Sequence, residues 1–404
     1  MNVGLFRSHA ALFLAVFLDI LSFGLMYPLI VGLFATSPLV APYSLGMRDT
    51  LMSLAFSLFP VGAFFGSSLL GDLSDAFGRR KTLVVCMAGL ALGYGLMWLA
   101  LELSILWLFF LGRLVAGLMS GTSPIAQAAM VDAVPAAARG DAMAQVTLVN
   151  TVGLMAGPAI GGLLGHFDLR LPLAVALVLC IWNAVLLARA RFGEETRLRA
   201  FHFDWRQPFL LFARLKDRPQ VVPALAAFFL FQLGFLIYYT LILIIMQRQH
   251  GFSTADVGLF SVAMGIGFTC GSGLLYKWVS ARLPRERDMA AVSLAGCGGL
   301  IVLAGLPLPA AAQVALAVAI CCVNVGAFIS LLSAMSGAVD ETERGWVLGL
   351  SSASIAVCVL GSGLLTSVLT VMPAGVLVAA GGLAVLAGTV PALRIAQGAL
   401  PHAA

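Results

Sequence analysis

The sequence predicts an all-α membrane protein of twelve transmembrane helices in two pseudo-symmetric six-helix bundles. Three observations lead there. Of 404 residues, 61% are apolar and only 10% are charged, with a mean hydropathy of +1.03. A soluble domain carries about 25% charge, and so little charge cannot cover a soluble globule of this size. That excludes a cytosolic enzyme, a nucleic-acid binder and a disordered chain. Second, twelve apolar runs approach the roughly 20 residues that cross about 30 Å of hydrocarbon. Third, a short repeat relates the halves: Val131-Asp132 with Arg139-Gly140 after the fourth run, and Val339-Asp340 with Arg344-Gly345 after the tenth. Two related six-helix halves are the pattern of a rocking transporter.

Taken in order, the runs fall at 10–34, 50–71, 82–100, 104–131, 142–164 and 171–190, then 221–246, 256–278, 289–306, 311–336, 346–370 and 374–393. The first, behind Arg7, resembles a signal peptide, but it exceeds an h-region of about 7–15 residues and shows no small-residue cleavage site. It is read as an uncleaved first span. The 43 glycines suit helices that approach closely without a hydrophobic drive between them. The seven cysteines all lie in apolar runs without CxxC or metal-ligand spacing, and read as small buried hydrophobes. No metal or cofactor is expected.

Residues 191–220 form the longest polar stretch, mixing Arg, Phe and Trp, and read as a cytoplasmic linker with an interfacial helix. They divide an N-terminal bundle, 1–190, from a C-terminal bundle, 221–404. Nineteen of the 23 basic residues fall on one side if both termini are cytoplasmic, and Arg48, Arg170 and Arg248 fall outside. The excess of Lys and Arg orients the chain that way. The expected setting is multi-pass in a cell inner membrane, as a monomer, with the lipid bilayer, protons and a small molecule as partners and no nucleic acid.

Charge near the bilayer centre is costly and marks function. Asp19 and Arg113 each lie about nine residues into a run, roughly 14 Å from the surface at 1.5 Å per residue. They are read as the proton-coupling pair, in contact or sharing a water-filled cavity. A static Asp–Arg strut is the alternative. None of the five His lies deep, so a carboxylate must carry the proton, and Asp19 is the candidate. Polar or aromatic residues deep in spans are the candidate substrate contacts: Tyr27, Gln127, Asn150, Asn183, Gln232, Tyr238, Tyr239 and Asn324. Each can instead be a helix–helix hydrogen bond.

Four segments carry a family resemblance. Gly71-Asp72-Leu73-Ser74-Asp75-Ala76-Phe77-Gly78-Arg79-Arg80-Lys81 resembles motif A of the major facilitator superfamily, with Ala76 where Arg is usual. Leu111-Gly112-Arg113-Leu114-Val115-Ala116-Gly117 resembles motif B, whose Arg is linked to proton transfer. The run from Gly153 through Gly157-Pro158-Ala159-Ile160-Gly161-Gly162 resembles motif C of the antiporter branches. Asp19 to Pro28 resembles a first-span signature of the drug:proton antiporters. The resemblance implies the twelve-span fold, with spans seven and ten lining a cavity. It implies a conformational latch at Gly71, Asp75, Gly78, Arg79, Arg80, Asp132 and Arg139. Physically, Gly78 permits a tight turn, Arg79 or Arg80 can pair with Asp132, and Asp75 can cap the helix near Gly345.

A hinge is expected at Gly157, Pro158, Gly161 and Gly162, packing span five on span eight or eleven. The function implied is proton-coupled antiport exporting small amphipathic compounds by alternating access. The other readings are a specific metabolite, sugar, amino-acid or siderophore transporter, and a non-transporting membrane sensor. Motif C speaks against uptake. The family's tetracycline exporters carry further acids and a His in their membrane segments, and the lack of such groups in the runs disfavours that cargo. No GxxxxGK[ST] phosphate loop is present, so no nucleotide hydrolysis is expected and no enzyme.

Overall fold

The structure is a computed structural model and describes residues 9–134, 139–190, 206–283, 285–340 and 343–395, with backbone alone at 139–141, 144, 147, 151, 207, 274, 277 and 370. Among the described residues the regular structure is helical, and twelve helical segments are long and apolar enough to cross a membrane. The described chain falls into two compact units. The first comprises the described residues within 1–44, 54–205 and 253–259. The second comprises those within 45–53, 206–252 and 260–404.

In the first unit, span one (Ala10–Thr36) is apolar on every side, and Leu12, Leu18, Leu25 and Leu29 are wholly buried. A helix without a polar face belongs in a core. Span five (Arg139–Phe167) packs along it through Gly153, Gly157 and Gly161, which recur every four residues and so share one face. A Cβ at Gly157 would stand 2.6 Å from the Leu21 carbonyl oxygen, so only Gly permits the approach. Spans three (Arg79–Leu103) and four meet in the same way at Gly93 and Gly112.

Span four is broken into helices Leu106–Leu118 and Thr122–Ala133, with a turn at 119–121. The sequence reading had one continuous run. Gly121 precedes the second helix, and Pro124 sits in its first turn, where a missing N–H costs nothing. A helix restart inside the membrane exposes backbone N–H groups that need an acceptor.

In the second unit, span seven (Pro219–His250) is the buried counterpart. It meets span twelve (Ala374–Ala392) at Gly234 and Gly381. Span eight (Thr254–Ser280) holds a π turn at Gly271–Leu275. Span nine begins at Glu286, three residues earlier than the apolar run, and so takes an acid into the helix.

Residues 191–205 of the linker lie outside the described residues. Its last part forms helix Gln207–Ala213, fastened to the start of span eleven (Arg344–Leu369). Trp346 Nε1 donates to the Leu211 carbonyl at 2.9 Å. Arg218 gives Glu343 two hydrogen bonds, each 2.9 Å, and Arg214 lies 3.6 Å from it. The Arg218 hydrogen bonds hold the Glu343 carboxyl below its ordinary range. A depressed carboxylate stabilises above its unfolded value and loses that contribution as pH falls through its folded one. Acidification below about pH 4.3, the ordinary Glu value, is expected to loosen this clamp and change Trp346 emission. An acid titration of emission that is unaltered in Glu343→Gln would rule this out.

Candidate functional site

Asp19 is 8% exposed on span one, and its Oδ2 accepts a hydrogen bond from Ser123 N at 3.0 Å. Ser123 lies in the first turn of Thr122–Ala133, so the break in span four supplies the donor. The positive end of that helix faces the carboxylate. Gln127 Nε2 donates to Ser123 Oγ at 3.1 Å and braces the same turn.

Arg113 is 5% exposed. Its Nε donates to the Ala55 carbonyl at 2.9 Å, and its guanidinium lies 5.0 Å from the Phe59 ring centroid. Phe59, Phe23, Tyr27 and Phe56 follow one another with centroids 5.3–6.1 Å apart. Tyr27 therefore sits in the aromatic wall that carries Arg113.

Asp19 and Arg113 share a unit but not a bond. Neither is the other's ion-pair partner among the described residues, so of the two arrangements expected, contact or a shared water-filled cavity, the contact is not found. The anion has taken a helix N-terminus, and the cation a carbonyl and a ring face. The hydroxyl of Tyr94, a buried residue of span three, lies within electrostatic reach of both. Asn150, on span five, is half-buried, and its Oδ1 has no hydrogen-bond partner among the described residues.

The second unit holds Gln232, Tyr238, Tyr239 and Asn324, all buried, on spans seven and ten (Ala310–Gly337). The Tyr238 hydroxyl and Asn324 Nδ2 are without partners among the described residues.

At the C-terminal end of span two (Leu45–Phe77), Arg79 Nη1 pairs with Asp75 at 2.8 Å and donates to Ser74 Oγ at 2.9 Å. Its Nε lies 3.6 Å from Asp132. Arg79 is thus the residue that reaches span four, while Arg80 donates to the Ala190 carbonyl at 3.3 Å. The Arg139 side chain lies outside the described residues. Gly71 has open space where a Cβ would be, so no close approach requires Gly there. Gly78 has φ 94° and ψ 149°, a conformation that is essentially glycine's own. Gly78→Ala is expected to cost about 1–3 kcal/mol and to lower the melting temperature; an unchanged melting curve would show that this turn does not require glycine.

The glycines of 153–162 divide between two partners. Gly153, Gly157 and Gly161 face span one, with Gly24 seated against Pro158. Gly162 faces Gly258 in the first turns of span eight, where a Cβ would meet the Gly258 Cα at 2.5 Å. The expected contact with span eight is present, and most of the segment packs on span one, the helix that carries Asp19.

Sequence reading missed two buried acids. Asp49, in the first turns of span two, is bound by both terminal nitrogens of Arg248, with Nη1 at 3.3 Å. Glu286, at the start of span nine, accepts a hydrogen bond from Ser333 Oγ. Asp49 and Arg248 are 199 residues apart and no local pattern joins them. Glu286 lay just beyond an apolar run.

A family model described as Major Facilitator Superfamily matches residues 12–362. The chain is 29% identical over 309 residues to the tetracycline resistance protein, class G, of Vibrio anguillarum, with 74% of each chain covered. It is 26% identical over 300 residues to the class C protein of Escherichia coli, with 71% of each covered. The crystal structure of the human organic anion transporter MFSD10 (TETRAN) superposes with a TM-score of 0.68 at 19% identity, covering 96% of this chain and 99% of that one. At that identity the likeness is one of fold.

Proposed function

The chain belongs to the Major Facilitator Superfamily, and from that premise we propose that it is a proton-coupled antiporter exporting small amphipathic organic compounds by alternating access. One observation carries the reading: a carboxylate buried in a membrane span, Asp19, accepts a hydrogen bond from a backbone N–H, that of Ser123, and among the described residues has no cation paired with it. Such a group changes its main interaction when it gains a proton. Ionised, it makes a charge-assisted bond to Ser123 at a positive helix end. Neutral, it loses most of that attraction, and span one is released from the inner half of span four. Arg113 stays anchored to Ala55 in either case. Protonation thereby biases the balance between two states, and a cargo that prefers one of them is linked to the proton.

The organisation proposed with it is an N-terminal bundle over 1–190, a linker over 191–220 and a C-terminal bundle over 221–404. The protein is placed as a monomer in a cell inner membrane with both termini cytoplasmic. The substrate contacts are Tyr27, Gln127, Asn150, Gln232, Tyr238, Tyr239 and Asn324. The latch is at Gly71, Asp75, Gly78, Arg79, Arg80, Asp132 and Arg139, and the hinge at Gly157, Pro158, Gly161 and Gly162. The drug-resistance names of the curated relatives favour export of this kind over a carrier for one metabolite. Tetracycline becomes a cargo to test, because it stands in the names of the relatives. The test is proteoliposomes under an imposed pH gradient. Adding cargo is expected to release protons in proportion to cargo moved; cargo movement without proton movement would overturn the antiport.

A further inference from the structure

The end of the linker carries an exposed face that transport leaves without a task. Helix Gln207–Ala213 runs through two short turns, Arg214–Asp217 and Pro219–Val221, into span seven. One side of it is packed. Pro208 is buried, and Leu211 lies against span eleven, where a Cβ at Gly349 would stand 3.6 Å from it. The other side is open. Arg206, Phe209 and Ala213 follow at steps of three and four residues, as do Arg206, Leu210 and Arg214 at steps of four, so they share a face. Phe209 is 51% and Leu210 48% exposed, and Arg206, Arg214 and Lys216 are exposed beside them. Span seven starts at Pro219, and span eleven, which holds this helix through Trp346, starts at Arg344. The face therefore lies where two spans enter the bilayer.

The charges select what covers it. Arg218 is spent within the protein: it gives Glu343 two hydrogen bonds, and Asp217 and Asp340 lie within its electrostatic reach. Arg214 is shared between Glu343 and the ring of Trp346, whose centroid is 5.3 Å away. Lys216 has no ion-pair partner among the described residues. A surplus of positive charge thus borders an apolar patch, the combination that seats a helix at the headgroup level of an anionic membrane. A zwitterionic lipid covers Phe209 and Leu210 but brings its own cation to the basic groups. An anionic lipid covers the rings and neutralises the charge. We propose that residues 206–216 form a binding surface for anionic lipid, with Phe209 and Leu210 at the acyl boundary and Arg214 and Lys216 on the headgroup phosphate. This goes beyond the transport reading and does not depend on it; it rests on the linker being interfacial.

The test places a reporter on the face. Phe209→Trp, in the full-length protein, is reconstituted with brominated phosphatidylcholine or brominated phosphatidylglycerol, and the quenching of its added emission over that of the wild-type protein gives the relative affinity of the two lipids there. Both lipids are expected to quench, with phosphatidylglycerol preferred. Adding Lys216→Gln is expected to lower that preference about fivefold, the effect of one basic group at an anionic surface, without changing the melting temperature, because Lys216 touches neither Glu343 nor Trp346. Lys216→Arg is expected to keep the preference, and raised ionic strength to weaken it. Equal affinity for the two lipids, or a preference that survives Lys216→Gln in full, overturns the anionic-lipid surface. So does loss of the preference on adding inorganic phosphate at unchanged ionic strength, which would make this a site for a free anion. Quenching by neither lipid overturns the interfacial placement of the linker as well, so the two failures are told apart.

Discussion

Asp19→Asn is expected to stop proton-driven export while the protein still folds and still binds cargo. Asn is nearly isosteric, and its Oδ1 can accept the Ser123 N–H that Asp19 accepts at 3.0 Å. What it cannot do is gain or lose a proton. In a coupled pair of sites one ligand shifts the other's affinity by roughly 5–150-fold, and that shift is what the substitution removes. Cargo affinity in the wild-type protein is expected to differ between acidic and alkaline pH, and in Asp19→Asn to be the same at both. Uphill export under a pH gradient is expected to be lost, while downhill cargo exchange persists. Asp19→Glu keeps the ionisable group but adds a methylene to a packed site, which costs about 1–3 kcal/mol, and is expected to retain reduced coupling. Arg113→Lys offers a contrast. It keeps the charge but loses the planar fork that binds Ala55 and covers Phe59, so its effect is expected on stability rather than on the pH dependence of affinity. Uphill export by Asp19→Asn would move the coupling group elsewhere, and Glu286 would be the next residue to substitute.

The parts of this site that were legible in the sequence are those encoded locally. Twelve apolar runs announce twelve spans because hydrocarbon tests each segment by its own composition. Asp19 and Arg113 stand out because charge at that depth is rare. What could not be read was what each group touches. The turn at 119–121 breaks a run whose residues are all compatible with continuing it; Gly121 and Pro124 were the signals, and hydropathy does not register a lost backbone bond. Without that break Ser123 offers no free N–H, and the obvious partner for Asp19 is Arg113. Long-range pairing hid Asp49 and Arg248 in the same way, since both looked like ordinary residues near outer loops. The four-residue spacing of Gly153, Gly157 and Gly161 was visible as one helix face, but the identity of the helix pressed against it was not.

That face gives the other large expected effect. Gly157→Ala places a Cβ 2.6 Å from the Leu21 carbonyl oxygen and 3.0 Å from the Gly24 Cα. Both are backbone atoms of span one, so no side chain can turn aside, and the two helices must part. Opening a packed seam by even half an ångström forfeits a quarter or more of each contact along it, and overpacking of this kind costs about 1–3 kcal/mol. Gly157→Leu is expected to cost more and to reduce the yield of folded protein. The damage reaches function as well, because Leu21 lies two residues from Asp19, and a shift of span one lengthens the bond to Ser123. Gly71→Ala is the matched control: it adds the same methyl to a helix where nothing lies within 4 Å. Relief of glycine's backbone entropy is expected to make it neutral or up to about 1 kcal/mol stabilising. A thiol-reactive dye reports unfolding through the buried free cysteines, and Gly157→Ala is expected to melt several degrees below both the wild-type protein and Gly71→Ala. If the two alanine variants melt together, the close approach of spans one and five does not hold this unit in place, and the route from that seam to Asp19 has to be given up.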